Sequence, residues 1–227
     1  MGMLEKIQES VQWLHLAAEK VAPARFSTSF GAEDQVVLDL IVRNELAIQI
    51  FTLDTGRLHE ETYDVMNRSL LRYRRPILIH SPRHDLLEAH LNSHGPNAFY
   101  ESIDLRKACC QVRKVEPLRR ALTGAKSWVT GLRREQAVTR AGLEMRAWDP
   151  VHQLEKFNPL LEWSQDEIWS YIHTHQVPYN TLHDQNFPSI GCAPCTRAIG
   201  ANEDLRAGRW WWEDPVSKEC GLHVKSA

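Results

Sequence analysis

Hydrophobic side chains near the start of the chain recur at the spacing of an amphipathic helix. Between Leu4 and Val21 they are separated by alternating steps of three and four residues, which places them on one helical face. The residues on this face are Leu4, Ile7, Val11, Leu14, Ala18 and Val21. We therefore predict that the chain opens with a helix that packs one side against a core.

Strands and further helices are predicted to alternate along the rest of the chain. The strand candidates, short and apolar, are Arg25–Phe30, Ala47–Leu53, Ile77–His80 and Ser127–Gly131. The helix candidates are Val36–Val42, His59–Tyr73, Asp104–Leu122 and Ile168–Thr174. Pro117 should break or kink the third of these helices, and a capping box of Ser164 and Glu167 opens the last. This alternation predicts an α/β fold with a single, mainly parallel twisted sheet flanked by helices.

Size and charge narrow the class of protein. The chain has 227 residues, 43% of them hydrophobic, which suits one domain over residues 1–227, with an irregular tail at 201–227. Its 27 Lys and Arg against 29 Asp and Glu give a formal net charge of −2, which argues against non-specific nucleic-acid binding. Because neither a signal peptide nor an apolar run of about 18 residues is present, we expect a cytoplasmic protein without a membrane partner.

Ligands of parallel α/β sheets bind beyond the carboxyl ends of the strands, so the loops after Phe30, Leu53 and Gly131 are the candidates. The common phosphate loops G-x-x-x-x-G-K and G-x-G-x-x-G are absent from the sequence. Ser27–Asp34 lies between a predicted strand and a helix, and its N–H groups and hydroxyls could hold an anion there. Taken alone, this segment is explained better as an ordinary capped turn.

Cysteine usage points to a metal site or to catalysis. The chain has 5 cysteines, an odd number, and no export signal, so a reducing compartment is expected. Four of them form two distant pairs, Cys109-Cys110 and Cys192-Ala-Pro-Cys195, and four thiolates suit zinc or an iron–sulfur cluster. Adjacent side chains on a helix diverge by about 100°, which suits the separate irons of a 4Fe–4S cluster better than one zinc ion. Buried structural cysteines are the alternative.

Read together, three loops of the sequence resemble those of the adenylylsulfate (APS) and phosphoadenylylsulfate (PAPS) reductase family. Ser29–Asp34 resembles the modified pyrophosphate loop of this family, and Leu53–Tyr63 and Thr130–Gln136 match its second and third loops. ATP-cleaving relatives carry S-G-G-x-D-S in the first loop, where this chain has Phe30 for a glycine and Asp34 for a hydroxyl. The resemblance implies an adenine nucleotide alpha hydrolase-like (PP-loop) fold and a reductase rather than an ATP-cleaving enzyme.

The resemblance also implies roles for individual residues. The implied substrate-binding residues are Ser27, Ser29, Leu53, Gly131 and Arg140. The implied ligands of one 4Fe–4S cluster, a mark of the APS-preferring branch, are Cys109, Cys110, Cys192 and Cys195. Lys114 would link the cluster to the substrate electrostatically. For Arg133 and Arg134, a phosphate contact and a solvated charge pair are about equally good interpretations.

The fifth cysteine lies in Glu219-Cys-Gly-Leu-His223, which resembles the C-terminal nucleophile motif of the same family. The resemblance implies that Cys220 attacks the sulfate of APS, with Arg206, Arg209 and His223 at the phosphosulfate. Positive neighbours lower the pKa of a thiol and so favour the attacking thiolate. Thioredoxin or glutaredoxin would then release sulfite by thiol chemistry. An inert tail cysteine is the alternative.

The implied function is reduction of APS to sulfite and AMP in assimilatory sulfate reduction and cysteine biosynthesis. A PAPS reductase is the first competing hypothesis, and an ATP-dependent adenylating enzyme or sulfurtransferase with zinc is the second. A nucleotide-binding redox sensor is the third, and it would not need Cys220. The sequence leaves open whether the protein forms a homo-oligomer. The aromatic run Trp210–Trp212 indicates packing, with thioredoxin docking as the less favoured interpretation.

Overall fold

The computed structural model describes residues 2–136, 142–214 and 222. Its helices are α1 (Met3–His15), α2 (Ala32–Arg43), α3 (Glu60–Tyr73), α4 (His84–His94), α5 (Ile103–Cys110), α6 (Glu116–Leu122) and α7 (Gln165–His175). Its strands are β1 (Ala24–Thr28), β2 (Ile48–Leu53), β3 (Ile77–His80), β4 (Ser127–Val129), β5 (Arg146–Asp149) and β6 (Leu154–Phe157). No helix in this part of the chain has the length and apolar character needed to cross a bilayer.

The strands form one six-stranded sheet in the order β3-β2-β1-β4-β6-β5. β1 pairs in parallel with β2 on one side and with β4 on the other, so that Phe26 lies opposite both Ile50 and Val129. β4 pairs in parallel with β6, and β6 pairs with β5 in the antiparallel direction. The prediction of a mainly parallel α/β sheet is therefore confirmed.

The strand order reverses direction next to β1. From β1 the chain builds outward through β2 to β3, and it then returns to place β4 on the opposite side of β1. Such a switch point separates the loops that follow two neighbouring strands, and it is where ligands bind in open α/β sheets. The loops after β1 and β4 are therefore the candidate ligand loops of this sheet.

The chain divides into two compact units, each built from several segments. The first, the sheet unit, comprises Met1–Thr52, Glu60–Leu78 and Gly124–Leu182. The second, the cysteine unit, comprises Leu53–His59, Ile79–Thr123 and His183–Ala227. Because both units are discontinuous in sequence, no single chain position separates them. The expectation of one domain over residues 1–227 stays a prediction.

The core of the sheet unit is apolar and continuous across the sheet. It includes Leu14 of α1, Phe26 of β1, Val129 of β4 and Ile172 of α7. Asp39 of α2 is fully buried within this unit and accepts hydrogen bonds from the hydroxyls of Tyr73 and Tyr171, at 2.8 and 2.7 Å. Its Oδ2 also pairs with Nε of Arg43 at 2.6 Å. These donors satisfy the buried carboxylate, which would otherwise be costly to desolvate.

Several predicted elements differ from those in the structure. The first helix ends at His15 and continues as a π-helical turn, Leu16–Lys20. Pro117 does not interrupt the helix, because a π-helical turn, Gln111–Val115, precedes it and α6 begins at Glu116. A wider turn of this kind absorbs the hydrogen bond that a proline cannot donate. α4, β5 and β6 were not predicted at all.

Candidate functional site

The loop after β1 is closed by the carboxylate of Asp34. Oδ2 of Asp34 accepts hydrogen bonds from the backbone N of Ser29 at 2.6 Å and from its Oγ at 2.7 Å. Ser27, at the end of β1, is half-buried, and its Oγ accepts a 2.8 Å hydrogen bond from Nε1 of Trp128. Ser29 is exposed. The loop thus presents Ser29 to solvent while a short network fixes its shape.

Phe30 makes this loop differ from a glycine-rich one. Its φ of 59° lies in the left-handed region, which side chains larger than glycine rarely adopt. The ring is fully buried and packs with Val65 and Met66 of α3, and the Phe30 N–H donates to Oγ1 of Thr28 at 3.0 Å. Burial of the ring stabilises a backbone conformation that would otherwise be strained.

The loop after β4 lies directly against the loop after β1. A Cβ on Gly131 would overlap Oδ1 of Asp34, and it would lie 3.1 Å from the backbone N of Asp34 and 3.2 Å from Cβ of Glu33. Only glycine fits here, because two of these neighbours cannot rotate away. The two loops at the switch point therefore form one closely packed structure.

Burial raises the pKa of Asp34 to about 6, in spite of the hydrogen bonds from Ser29 that favour its charged form. The nearby carboxylate of Glu33 raises the same pKa further, and the backbone N–H of Gly131 lowers it. A carboxylic acid with this pKa changes its charge close to neutral pH. The charge of the loop therefore depends on pH.

Arg133 and Arg134 have different environments. Arg133 is buried, and its Nε and Nη2 donate to Oε1 of Glu33 at 3.0 and 2.8 Å. For Arg133, the interpretation as part of a solvated charge pair is therefore wrong. Arg134 is more exposed and pairs with Glu162 at 2.6 Å. The sequence could not distinguish the two, because Glu33 lies 100 residues away from Arg133.

The four candidate cluster cysteines lie around one cavity in the cysteine unit. The residues that line it are Arg57, Phe99, Arg106, Cys109, Cys110, Arg113, Lys114, Cys192, Pro194, Cys195 and Trp210. None of these four cysteines forms a disulfide bond, and all but Cys109 are buried. The sequence pairs, separated by about eighty positions, thus converge on one place.

Two different local structures present the thiols. Cys109 and Cys110 end α5, and the π-helical turn that follows carries Arg113 and Lys114 to the same cavity. The second pair lies at a 3₁₀ turn, Ala193–Cys195, which Cys192 precedes and Cys195 ends. The N–H of Ala193 donates to the Arg57 carbonyl at 2.8 Å. The N–H of Trp210 donates to the Cys195 carbonyl at 3.1 Å. Backbone hydrogen bonds therefore fix the Cys-x-x-Cys segment.

The charges around the cavity act differently on the thiols. Burial alone would raise the pKa of Cys192, but Lys114, a hydrogen bond with Thr55, Arg209 and Arg113 together lower it. Burial raises the pKa of Cys195 to about 12 and also raises that of Cys109, against the opposing charge of Arg113. Cationic side chains at such a cavity would offset the negative charge of a thiolate-bound group.

Thr55 and Arg113 contact the cysteines, and sequence reasoning did not single them out. Oγ1 of Thr55 lies 3.2 Å from Sγ of Cys192, and Nη1 of Arg113 donates to the Thr55 carbonyl at 2.6 Å. Both residues are buried. For Thr55, the one indication in the sequence was its position in the second resembling loop. For Arg113, the spacing of three residues after Cys110 could have indicated that both lie on one side of a helix.

The donor set, four thiols around one cavity, suits an iron–sulfur cluster. Among the residues that the structure describes, no three or more His, Cys, Asp or Glu side chains are grouped closely enough to hold one metal ion. Ligands of a single ion must all reach one point, at about 2.3 Å for zinc and sulfur. A cluster offers each thiolate a separate iron, so four thiols spread around one cavity can bind it.

The remaining predicted site residues are placed as follows. Leu53 is the last residue of β2 and is half-buried. Arg206 is half-buried in a turn, where its N–H donates to Oδ1 of Asp204 at 2.8 Å. Arg209 is buried and lies over the ring of Trp210 at 4.8 Å. Three predicted residues lie outside the described residues: Arg140, Cys220 and His223.

Residues 23–198 match the phosphoadenosine phosphosulfate reductase domain. The chain belongs to this reductase family. Among curated family members, "adenosine 5'-phosphosulfate reductase" of Allochromatium vinosum is 55% identical over 87% of this chain and 77% of its own length. The protein of the same name from Neisseria meningitidis is 49% identical over 98% of this chain and 91% of its own.

Solved structures agree with the placement in the reductase family. The crystal structure of a phosphoadenylyl-sulfate reductase from Candida auris matches with a TM-score of 0.70 and 27% identity, over 85% of this chain and 90% of that one. A Candida glabrata FMN adenylyltransferase matches with a TM-score of 0.58 and 17% identity, over 96% of this chain and 78% of that one. The second likeness indicates the fold alone.

Proposed function

We propose that the protein is an adenylylsulfate reductase that converts APS to sulfite and AMP. The observation that carries the proposal is the convergence of Cys109, Cys110, Cys192 and Cys195 on one cavity, in a chain about half identical to proteins named adenosine 5'-phosphosulfate reductase. A PAPS reductase is the alternative, since the Candida auris structure bears that name. This chain is less similar to that protein than to the adenosine 5'-phosphosulfate reductases, which favours APS as the substrate.

In the proposed reaction, the Cys220 thiolate attacks the sulfur of the phosphosulfate. A bond forms between Sγ and the sulfate sulfur, the bond from that sulfur to the bridging oxygen breaks, and AMP leaves with the electron pair. Arg206, Arg209 and His223 would stabilise the negative charge that develops on the phosphosulfate oxygens. Cys220 is left as an S-sulfocysteine. Its position lies outside the described residues, so its role rests on the sequence motif.

Sulfite is then released by a dithiol reductant, for which we propose thioredoxin or glutaredoxin. A thiolate of the reductant attacks Sγ of Cys220, sulfite leaves, and a mixed disulfide forms. The second thiol of the reductant resolves this disulfide, which returns Cys220 as a thiol and leaves the reductant oxidised. The dithiol thus supplies both electrons that the reduction requires.

We further propose that the four thiols hold one 4Fe–4S cluster, whose role is structural and electrostatic. The chemistry it would supply is a fixed charge near the cations of the cavity. Lys114, which lines the cavity and lowers the pKa of Cys192, would balance that charge and orient an anionic substrate. In the cell, the enzyme would act in the cytoplasm, in assimilatory sulfate reduction and cysteine biosynthesis.

Steady-state kinetics of the anaerobically purified protein with thioredoxin tests the proposal. We expect kcat/KM to be higher for APS than for PAPS, and Cys220→Ser to abolish sulfite formation while AMP binding stays unchanged. A preference for PAPS would overturn the substrate assignment. ATP-dependent release of pyrophosphate, or zinc in place of iron in the purified protein, would favour an adenylating enzyme or a sulfurtransferase.

A further inference from the structure

We propose that Arg133 is a positioning residue that sets the affinity of the switch-point loops for an anionic nucleotide, by neutralising Glu33 and holding its carboxylate. This inference rests on the proposed function, and on the loops after β1 and β4 as the site where the nucleotide binds. It gives Arg133, in the third resembling loop, a role that acts through Glu33 and not through contact with the reacting atoms. The pair lies wholly within the sheet unit.

The contact between Arg133 and Glu33 has the geometry of a fixed ion pair. The side chain of Arg133 is 3% exposed and that of Glu33 is 18% exposed. Both Nε and Nη2 donate to the same oxygen, Oε1, while Nη1 donates to the carbonyl of Trp163 at 3.2 Å. Glu135 lies 3.3 Å from Nη1 but is 60% exposed, so solvent weakens its pairing. Glu33 is therefore the main partner of Arg133.

Glu33 occupies the first turn of α2, where backbone N–H groups attract anions. Its Cβ lies 3.2 Å from where a Cβ on Gly131 would be, so Glu33 belongs to the place where the two loops pack together. An unneutralised carboxylate in this turn would repel the phosphate of a nucleotide bound at the same loops. Arg133 removes that repulsion and keeps the carboxylate turned toward itself.

A purely structural brace would have the same geometry, since buried ion pairs often contribute little beyond local order. The two roles differ in what they do to charged and uncharged ligands. Loss of a structural brace weakens the binding of AMP and of adenosine equally, because both ligands need the same loop shape. Loss of charge neutralisation weakens the binding of AMP alone, because adenosine carries no phosphate.

Isothermal titration calorimetry with AMP and with adenosine distinguishes these roles in the full-length protein. For Arg133→Met we expect AMP affinity to fall about tenfold, which corresponds to about 1.4 kcal/mol, and adenosine affinity to change less than twofold. The double variant Glu33→Gln/Arg133→Met also removes the negative charge that Arg133→Met leaves unneutralised, and it should restore AMP affinity to within threefold of wild type. Arg133→Lys keeps the positive charge and should lie closer to wild type than Arg133→Met.

Arg68→Met is the matched control, because its ion pair with Asp64 is exposed and lies on α3, outside these loops. It should bind AMP as the wild type does. In kinetics with APS, Arg133→Met should raise KM while kcat stays within threefold. Equal losses for AMP and adenosine, or a double variant as weak as Arg133→Met, would overturn the inference while leaving the proposed function intact. If the wild-type protein bound neither AMP nor APS, the proposed function would fail, and the inference with it.

Discussion

Gly131→Ala is the substitution whose effect follows most directly from the structure. The added methyl would overlap Oδ1 of Asp34 and would lie 3.1 Å from the backbone N of Asp34 and 3.2 Å from Cβ of Glu33. The carboxylate could rotate aside only by giving up its hydrogen bonds with Ser29, at 2.6 and 2.7 Å. The backbone contact would remain even then, so one of the two loops must shift.

The magnitude follows from the contacts that are lost. Overpacking in a close-packed region costs roughly 1–3 kcal/mol, and each hydrogen bond to a charged group contributes about 1.5–3 kcal/mol. A shift of the loops that loses one such bond is expected to weaken nucleotide binding at least tenfold, since each tenfold corresponds to about 1.4 kcal/mol. Stability should fall by about 1–3 kcal/mol.

Two assays on the same variant check this reasoning. Calorimetric titration with AMP gives the affinity, and urea unfolding gives the stability. Gly142→Ala is the control, because no atom of the described residues lies within 4 Å of a Cβ built there. If Gly131→Ala bound AMP as tightly as Gly142→Ala does, the close packing of the two loops would not be what shapes the nucleotide site.

Three further predictions concern the dependence of stability on pH, a buried ion pair, and the glycine that precedes the second cysteine pair. Because burial raises the pKa of Asp34 to about 6, from its ordinary value of 3.8, the folded state holds this proton more tightly than the unfolded state. Its contribution to stability is therefore full below about pH 4 and is lost as the pH rises through 6, by up to about 3 kcal/mol. Urea unfolding from pH 4 to 8 should show this loss in the wild type and not in Asp34→Asn, and parallel curves would refute it. Glu213→Gln should lower the free energy of unfolding by roughly 3–5 kcal/mol, because it strands Arg106, which is fully buried and pairs with Glu213 at 2.7 Å; a loss under about 1 kcal/mol in urea unfolding would contradict this. Gly191→Ala places a methyl 2.6 Å from Cζ of Arg209 and should displace that side chain. Its effect on kcat/KM should then not add to that of Arg209→Met in a double-mutant cycle, and full additivity would show that the two changes act independently.

Much of the sheet was predictable because β1, β2, β3 and β4 each carry apolar side chains in a short run between helix-like segments. The predicted bounds of β3, Ile77–His80, are the same as those in the structure. The strand candidates at Ala47–Leu53 and Ser127–Gly131 contain β2 and β4. β5 and β6 were missed because charged side chains interrupt both strands, and because β5 alternates exposed and half-buried positions at an edge of the sheet. Such strands have a weak hydrophobic pattern, and pairing with a neighbour decides their structure.

Helices without a buried face were also hard to predict. α4 has no buried residue, so its sequence lacks the apolar stripe by which a helix is recognised. The helical run through Pro117 was predicted with a break or kink, and the chain instead widens into a π-helical turn directly before α6. Sequence patterns indicate that a proline disturbs a helix, but the neighbouring structure decides how.

For the candidate site, the types of residue were predictable but their partners were not. The two cysteine pairs suggested four ligands of one group, and the fold brings them to one cavity. Nothing in local spacing indicates that Thr55 lies against Cys192, or that Arg133 pairs with Glu33. These contacts join residues about 100 or more positions apart, and only the completed fold determines them.

Mass spectrometry of the protein after anaerobic mixing with APS, without a reductant, tests the central claim most directly. The account predicts one added SO₃ group per chain, localised to the peptide that contains Cys220, together with release of one equivalent of AMP. Added thioredoxin should then remove the group as sulfite. Release of AMP without an adduct, or an adduct on one of the cavity cysteines instead of Cys220, would contradict the account.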